Sequence, residues 1–206
     1  MRITVVGGSR GTGAQVVRMA AEAGHQVTSL SRTGGTALPE GVRNIEGDAL
    51  DAAVARSVVA DADAVVVTVG GAAGSKRHRA EVTRSMIAAM RDAGVRRLLV
   101  HSSLGVGDSM NLMPGPARVF ARTVLGPALA DHAEQEAAVA ASGLDWTVVR
   151  PGGLSDGPAT GAVVAQETAE GRAMKGRIAR ADVAAYIVSI LDEPGTFGRA
   201  LALGTT

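Results

Sequence analysis

Three glycines in the run Gly7-Gly8-Ser9-Arg10-Gly11-Thr12-Gly13 stand at the spacing Gly-x-x-x-Gly-x-Gly. Glycine there allows a tight turn and lets backbone N–H groups approach a diphosphate, whose charge a helix N-terminus stabilises. Val5-Val6 ahead of the run reads as the end of a strand, and a helical stretch follows it. A plain strand-to-helix loop also uses glycine. This one is the first such connection of the chain, where dinucleotide folds place their phosphate site. Gly7, Ser9, Arg10, Gly11, Thr12 and Gly13 are therefore expected to hold a dinucleotide.

The residue after the second strand selects among dinucleotides. An NAD site commonly places an acid there to accept from the ribose 2′-hydroxyl. Here the position is Arg32, which cannot accept but can hold a 2′-phosphate by charge-assisted bonds. Arg10 supplies a second clamp from the turn, and the expected cofactor is NADP(H). Both arginines can also be read as solvated surface residues, since all but two of the 21 basic residues are arginine. Asp48, in Glu46-Gly47-Asp48-Ala49-Leu50, is placed to meet the adenine amino group or to cap the helix that follows. Gly70 and Gly71, after the fourth strand, let the chain pass close to the cofactor or simply turn, and Val69 at that strand's end is expected to border the cofactor.

The elements that must position these residues alternate. Strands are expected over Ile3–Leu30's two ends (Ile3 to Val6 and Gln26 to Leu30), Arg43 to Glu46, Ala64 to Val69, Leu98 to His101 and Trp146 to Val149. Helices are expected near Ala14 to Ala23, Ala52 to Ala60, Ala80 to Ala93 and Ala128 to Ala141, with a last helix at Ala181 to Leu191 and a strand at Ala200 to Leu203. Continuous apolar runs such as Ala64-Val65-Val66-Val67 indicate strands buried on both faces, hence a parallel sheet. The fold class is α/β, a doubly wound, Rossmann-like parallel sheet in a three-layer α/β/α sandwich. Thr33 to Gly41 is too short and too rich in Gly and Pro for a crossover helix, and Gly152 to Gly176 reads as a substrate loop or lid.

Length bounds the rest: 206 residues suit one domain, 1–206. No apolar stretch reaches membrane-spanning length, and no leader is visible at the N-terminus. Cysteine is absent, which removes thiolate chemistry and fits a reducing, cytoplasmic setting. A net charge of +1 and four aromatic residues argue against nucleic-acid binding. Neither metal-ligand spacing nor a Gly-x-Ser-x-Gly elbow occurs. The cluster Lys76-Arg77-His78-Arg79 gates an acidic substrate or is a solvated loop, the second being the simpler reading.

These residues resemble the atypical short-chain dehydrogenase/reductases of the NAD(P)H-binding type, the biliverdin reductase B and flavin reductase-like family with its sugar-epimerase-like relatives. The resemblance runs along nearly the whole chain. It rests on the glycine-rich turn, Ser31-Arg32, Gly47-Asp48, His101-Ser102-Ser103-Leu104-Gly105, Ser142 to Gly152 with its Val149-Arg150-Pro151-Gly152 end, and Arg180-Ala181-Asp182-Val183-Ala184. Arg10 departs from it, standing where many relatives have glycine, as in the catalytic-tyrosine branch. That branch's Tyr-x-x-x-Lys pair is missing, since the one tyrosine, Tyr186, is followed four residues later by Ile190. The resemblance implies Ser102, Arg150, Pro151 and Gly152 at the cofactor, Ser103 facing the nicotinamide end, and His132 on the substrate side as a proton relay. Serine at a strand end is also a common cap, and a lone histidine is commonly a packed residue. The implied activity is NADPH-dependent hydride transfer to a small electron-poor acceptor, with solvent as proton source. A non-catalytic NADP(H)-binding module and a nucleotide-dependent isomerase or epimerase are the alternatives. The expected partners are small molecules, and the protein is expected to be a monomer or homodimer.

Overall fold

Short runs of β-branched residues become the strands, and the alanine-rich segments between them become the helices. The computed structural model describes residues 1–33, 38–71, 77–167, 171–174 and 177–205. The strands are β1 (Arg2–Val6), β2 (Gln26–Ser31), β3 (Arg43–Glu46), β4 (Ala64–Val67), β5 (Arg97–His101), β6 (Asp145–Pro151), β7 (Gly153–Ser155), β8 (Val164–Glu167), β9 (Arg177–Ala179) and β10 (Arg199–Gly204). The helices are α1 (Gly11–Glu22), α2 (Ala52–Val59), α3 (His78–Ala93), α4 (Gly115–Thr123), α5 (Gly126–Ala140) and α6 (Arg180–Ser189).

Eight strands form one sheet in the order β3-β2-β1-β4-β5-β6-β10-β8, with β7 and β9 paired apart. All pairings of the large sheet are parallel except β10 with β8. The chain winds outward from β1 to β3, returns beside β1 as β4, and continues the other way. This reversal is the switch point at which open α/β sheets bind ligands, beyond the carboxyl ends of the strands.

Alternation along the strands builds two cores. Ile3, Val5, Ala64, Val66 and Leu99 pack with Val16 and Val17 of α1 and Val183 and Ile187 of α6. Val6, Val65, Val67, Leu98 and Val100 face the other way, onto Val58 and Val59 of α2, Met86 and Met90 of α3 and Val139 of α5. Residues Ala64 to Val67 are wholly buried, as a strand covered on both faces must be.

The doubly wound α/β sheet expected from the alternation is therefore present. β4 stops at Val67, two residues short of expectation, because the chain turns at Thr68 toward the cleft. Between β2 and β3 the described residues form no helix. The segment between β5 and α5, for which no element was expected, carries a 3-10 turn at Gly107–Leu112 and the helix α4. Exposed Val119, Phe120 and Val124 blur the apolar stripe of α4, although Pro116 in its first turn is a fitting start signal. The segment 152–176 is not loop throughout, since it supplies β7 and β8. Among the described residues no helix is long and apolar enough to cross a membrane.

Candidate functional site

The carboxyl ends of β1, β2, β4, β5 and β6 open on one cleft of about 600 Å³. The glycine-rich turn forms its floor. Gly7 has φ +90°, and a Cβ at Gly13 would lie 2.2 Å from the Gly7 carbonyl oxygen and 2.4 Å from Thr68 Oγ1. Only glycine lets α1 start this close to the ends of β1 and β4. Thr68 Oγ1 donates to the Val6 carbonyl at 3.0 Å, tying those two strand ends together.

Side chains cap α2 and α3, whereas among the described residues α1, α4, α5 and α6 have no side-chain cap, and of these α1 is the one that follows the glycine turn lining the cleft. Asp51 caps α2 by accepting from Ala53 N and Val54 N. Asp131, reaching across from α5, accepts from Arg79 N and Ala80 N and so caps α3. No side chain caps α1, and its first turn holds no acidic residue. The N–H groups of this turn remain available to an anion, beside lining residues Gly7, Ser9, Arg10, Gly11 and Thr12.

Along the cleft, Arg10 and Arg32 are exposed lining residues with no ion pair among the described residues. Asp48 lines the same end, and its Oδ1 accepts from Leu50 N at 2.9 Å. This closes a turn, while the helix cap is Asp51. Ala49, Val69, Gly70, Gly71, Ser102, Ser103, Pro151, Gly152 and His132 all line the cleft. Two expected residues do not. Gly13 sits behind the wall as a spacer. Arg150 is buried, with its guanidinium 2.6 Å from Glu136 and 2.8 Å from Asp108, so its side chain braces the fold instead of lining the cleft.

The hydroxyls are partly committed. Ser102 Oγ donates to Glu136 Oε1 at 2.5 Å, and Ser103 Oγ to the Leu104 carbonyl at 3.1 Å. His132 is held by a chain of buried groups: Gln135 Nε2 donates to Thr83 Oγ1 at 2.9 Å, so its Oε1 accepts from His132 Nδ1 at 3.1 Å. Burial, with Arg79 nearby, pushes the His132 pKa down to about 4. The ring is neutral at pH 7, with its one proton turned to Gln135. It can accept a proton or hydrogen bond at Nε2.

Several lining residues escaped the sequence reading as site residues, Thr68, Arg79, His101 and Arg180 among them. Arg79 and His78 are not the solvated loop expected. His78 is buried, and Arg79 pairs with buried Asp131 at 3.1 Å. Lys76 lies outside the described residues. Arg180, at the start of α6, stands about 3.7 Å from the place of a Gly11 Cβ, and its Nη1 pairs with Asp156 at 2.6 Å. His101 ends β5, and burial, then the neighbouring His132, lowers its pKa to about 4. The signal for both was present: a polar residue at a strand end, and a cation two residues before Asp182, which anchors the 152–176 segment by accepting from Thr160 N and Gly161 N. Tyr186 is absent from the cleft lining, and burial raises its pKa. Among the described residues no group of three His, Asp or Glu side chains is arranged to hold a metal ion.

A glycine cradle, an uncapped helix start and a cleft at the switch point define a nucleotide-binding α/β protein. The chain belongs to the NAD(P)H-binding family, whose pattern it matches over residues 7–194. It is 29% identical over 183 residues to a Bacillus subtilis protein named as an uncharacterized sugar epimerase, YhfK, a match spanning 86% of this chain and 77% of the relative. Among solved structures, ChuY of Escherichia coli, titled an anaerobillin reductase, superposes with TM-score 0.82 at 27% identity, covering 100% of this chain and 97% of that one. A short-chain dehydrogenase/reductase of Veillonella parvula in complex with NADP shares the fold, with TM-score 0.83 at 19% identity over 98% and 94% of the chains.

Proposed function

We propose that the chain is an NADP(H)-dependent reductase that passes hydride to a small electron-poor acceptor such as a flavin, a quinone or a linear tetrapyrrole. The observation that carries this reading is the pair Arg10 and Arg32. They line the same cleft as the uncapped start of α1 and form no ion pair among the described residues. In this reading the turn residues Gly7, Ser9, Gly11 and Thr12 hold the diphosphate, with Gly13 as spacer, and the two guanidiniums hold the 2′-phosphate. Asp48 and Ala49 meet the adenine, Val69, Gly70 and Gly71 border the nucleotide, and Ser102, Pro151 and Gly152 lie at the nicotinamide end. The likeness to proteins titled as a reductase and as an NADP complex supports this assignment.

When bound, NADPH supplies two electrons as hydride, and acceptors of this class take the balancing proton from water. The chain's own contribution is orientation and exclusion of bulk solvent. Among the described residues neither tyrosine nor lysine lines the cleft, and His132 is neutral, so no strong acid stands at the acceptor end. Ser103 faces the acceptor in this reading and His132 offers Nε2 as a hydrogen-bond acceptor. The segment 152–176, which contributes Leu154 and Asp156 to the lining, serves as the lid of a single domain spanning 1–206. We further propose a cytoplasmic monomer or homodimer.

The tests are direct. Replacing Arg10 and Arg32 with Ala weakens NADPH binding about tenfold or more, the value of a charge-assisted hydrogen bond, and leaves NADH binding nearly unchanged. Equal losses for both nucleotides would remove the 2′-phosphate assignment. NADPH oxidation over flavins, quinones and tetrapyrroles tests the reductase reading. Tight binding without turnover of any acceptor favours a binding module, and conversion of a sugar nucleotide without net NADPH loss favours the epimerase reading that one relative's name suggests.

A further inference from the structure

Two polar atoms in the cleft wall are buried without a hydrogen-bond partner among the described residues: His101 Nε2 and Arg79 Nε. They stand on different elements, the end of β5 and the first turn of α3, yet both residues line the same cleft. The charge of Arg79 acts on the His101 ring, as does His132, so the three form one neighbourhood. His101 Nε2 has no partner among the described residues, and on a neutral ring beside the Arg79 guanidinium we take the tautomer that leaves Nε2 as a bare acceptor. Arg79 Nε–H can only donate, and its Nη1 is already turned to Asp131 at 3.1 Å. His132, with its proton on Nδ1, adds a second bare acceptor.

A buried donor or acceptor left unmet costs about 1–3 kcal/mol, and an orphan of each sense in one wall calls for a ligand edge with the complementary pair. Carboxylates and phosphates answer the donor alone, and a quinone carbonyl does the same. An N–H beside a C=O, the cis-amide edge of a lactam or cyclic imide, answers both. We propose that His101 and Arg79 form a docking edge for the cis-amide of the hydride acceptor, which makes them specificity-determining residues for acceptors of lactam or imide type. The proposal rests on the reductase reading and narrows its acceptor class. The nicotinamide carboxamide carries the same pair of groups, and the experiment separates the two sources.

Lumiflavin and 3-methyllumiflavin differ at the imide N–H. Their binding is read by quenching of flavin fluorescence on the full chain with NADP+ present, and their reduction by NADPH is followed in parallel. The native protein binds lumiflavin about tenfold or more tightly than the methylated flavin, from the cost of one orphaned acceptor. His101→Phe binds the two alike. His101→Gln, which keeps an acceptor oxygen, retains part of the preference and serves if the Phe variant folds poorly. Equal binding of both flavins by the native protein, binding of neither, or a preference that survives His101→Phe overturns the proposal. NADP+ and its analogue with acetyl in place of the carboxamide form the second arm. If His101→Phe weakens NADP+ alone and leaves the flavin preference intact, the edge belongs to the cofactor and the acceptor proposal falls. Should both flavins be reduced at equal efficiency, this inference fails while the reductase reading stands. Should lumiflavin bind selectively without NADPH oxidation, the reductase reading fails and the amide edge stands.

Discussion

Asp131, on α5, caps a helix other than its own: its carboxylate accepts from Arg79 N at 3.1 Å and Ala80 N at 3.0 Å at the start of α3, and also from Arg79 Nη1. One buried carboxylate thus ends a helix, neutralises a cleft arginine and locks α5 to α3. Removing one partner of a buried ion pair costs about 3–5 kcal/mol. Asp131→Ala is expected to lose that amount in urea unfolding, with an unchanged slope. Asp131→Asn, which keeps one acceptor oxygen, falls between it and the native protein. A loss below about 1 kcal/mol for the Ala variant, the range of exposed pairs, would show that the cap is dispensable.

The glycine cradle predicts opposite outcomes at two positions of the same wall. A methyl at Gly13 meets the Gly7 carbonyl oxygen at 2.2 Å and Thr68 Oγ1 at 2.4 Å, and at least the first of these is backbone that cannot swing aside. Gly13→Ala is expected to destabilise by about 1–3 kcal/mol, as overpacking does, and to reduce nucleotide affinity at least tenfold by displacing the start of α1. Gly70 has nothing within 4 Å of the same methyl. Gly70→Ala should leave the unfolding midpoint unchanged, so any loss of nucleotide titrated by calorimetry reports contact alone.

Two of the cleft histidines, His101 and His132, couple stability to pH. In the unfolded chain each titrates near 6.5, while in the folded protein burial lowers both to about 4. Between these values the unfolded state binds more protons, so stability is greatest above pH 6.5 and declines as pH falls toward 4. For His132 the shift corresponds to about 3 kcal/mol over that window. His132→Leu, which abolishes the protonation, is expected to flatten the decline in denaturant midpoints measured across it. The kcat/KM profile of the native enzyme is expected to show no imidazole limb between pH 5 and 8. A limb there that vanishes in His132→Leu would assign the proton-relay role to His132.

What the sequence disclosed and what it hid follow from the range of the interactions concerned. The strand-turn-helix at Val5 to Gly13 is local, so its glycines, Arg10 and Arg32 could be placed on the cleft from residue order alone. Strand continuity at Ala64 to Val67 disclosed two-sided burial for the same reason. Arg79 looked like part of a solvated basic run because its partner Asp131 is 52 residues away. His101 looked like the last residue of a strand because nothing local marks an orphaned ring nitrogen. Arg150 followed a family motif toward the cofactor, and only the packing of α5 shows that Glu136 claims it. α4 stayed hidden because its apolar residues face outward, against the rule that periodicity reading depends on.

Glu136 is the strongest case for a brace that acts beneath the site. It accepts from Ser102 Oγ at 2.5 Å and from Arg150 Nη2 at 2.6 Å, while Arg150 Nη1 reaches Asp108 at 2.8 Å. The carboxylate thereby joins the ends of β5 and β6 to α5. Either single replacement, Glu136→Leu or Arg150→Met, leaves a buried charge without its main partner and is expected to cost about 3–5 kcal/mol. The double variant removes both charges together, and Asp108 is exposed to water. Its loss should therefore be smaller than the sum of the singles by more than 1 kcal/mol, a coupling that a denaturant double-mutant cycle resolves. NADPH affinity separates bracing from direct contact. If Arg150 only braces, the double variant recovers affinity along with stability. If Arg150 touches the cofactor, affinity stays as low in the double as in Arg150→Met, and additive stability losses would show that the pair is not the unit described.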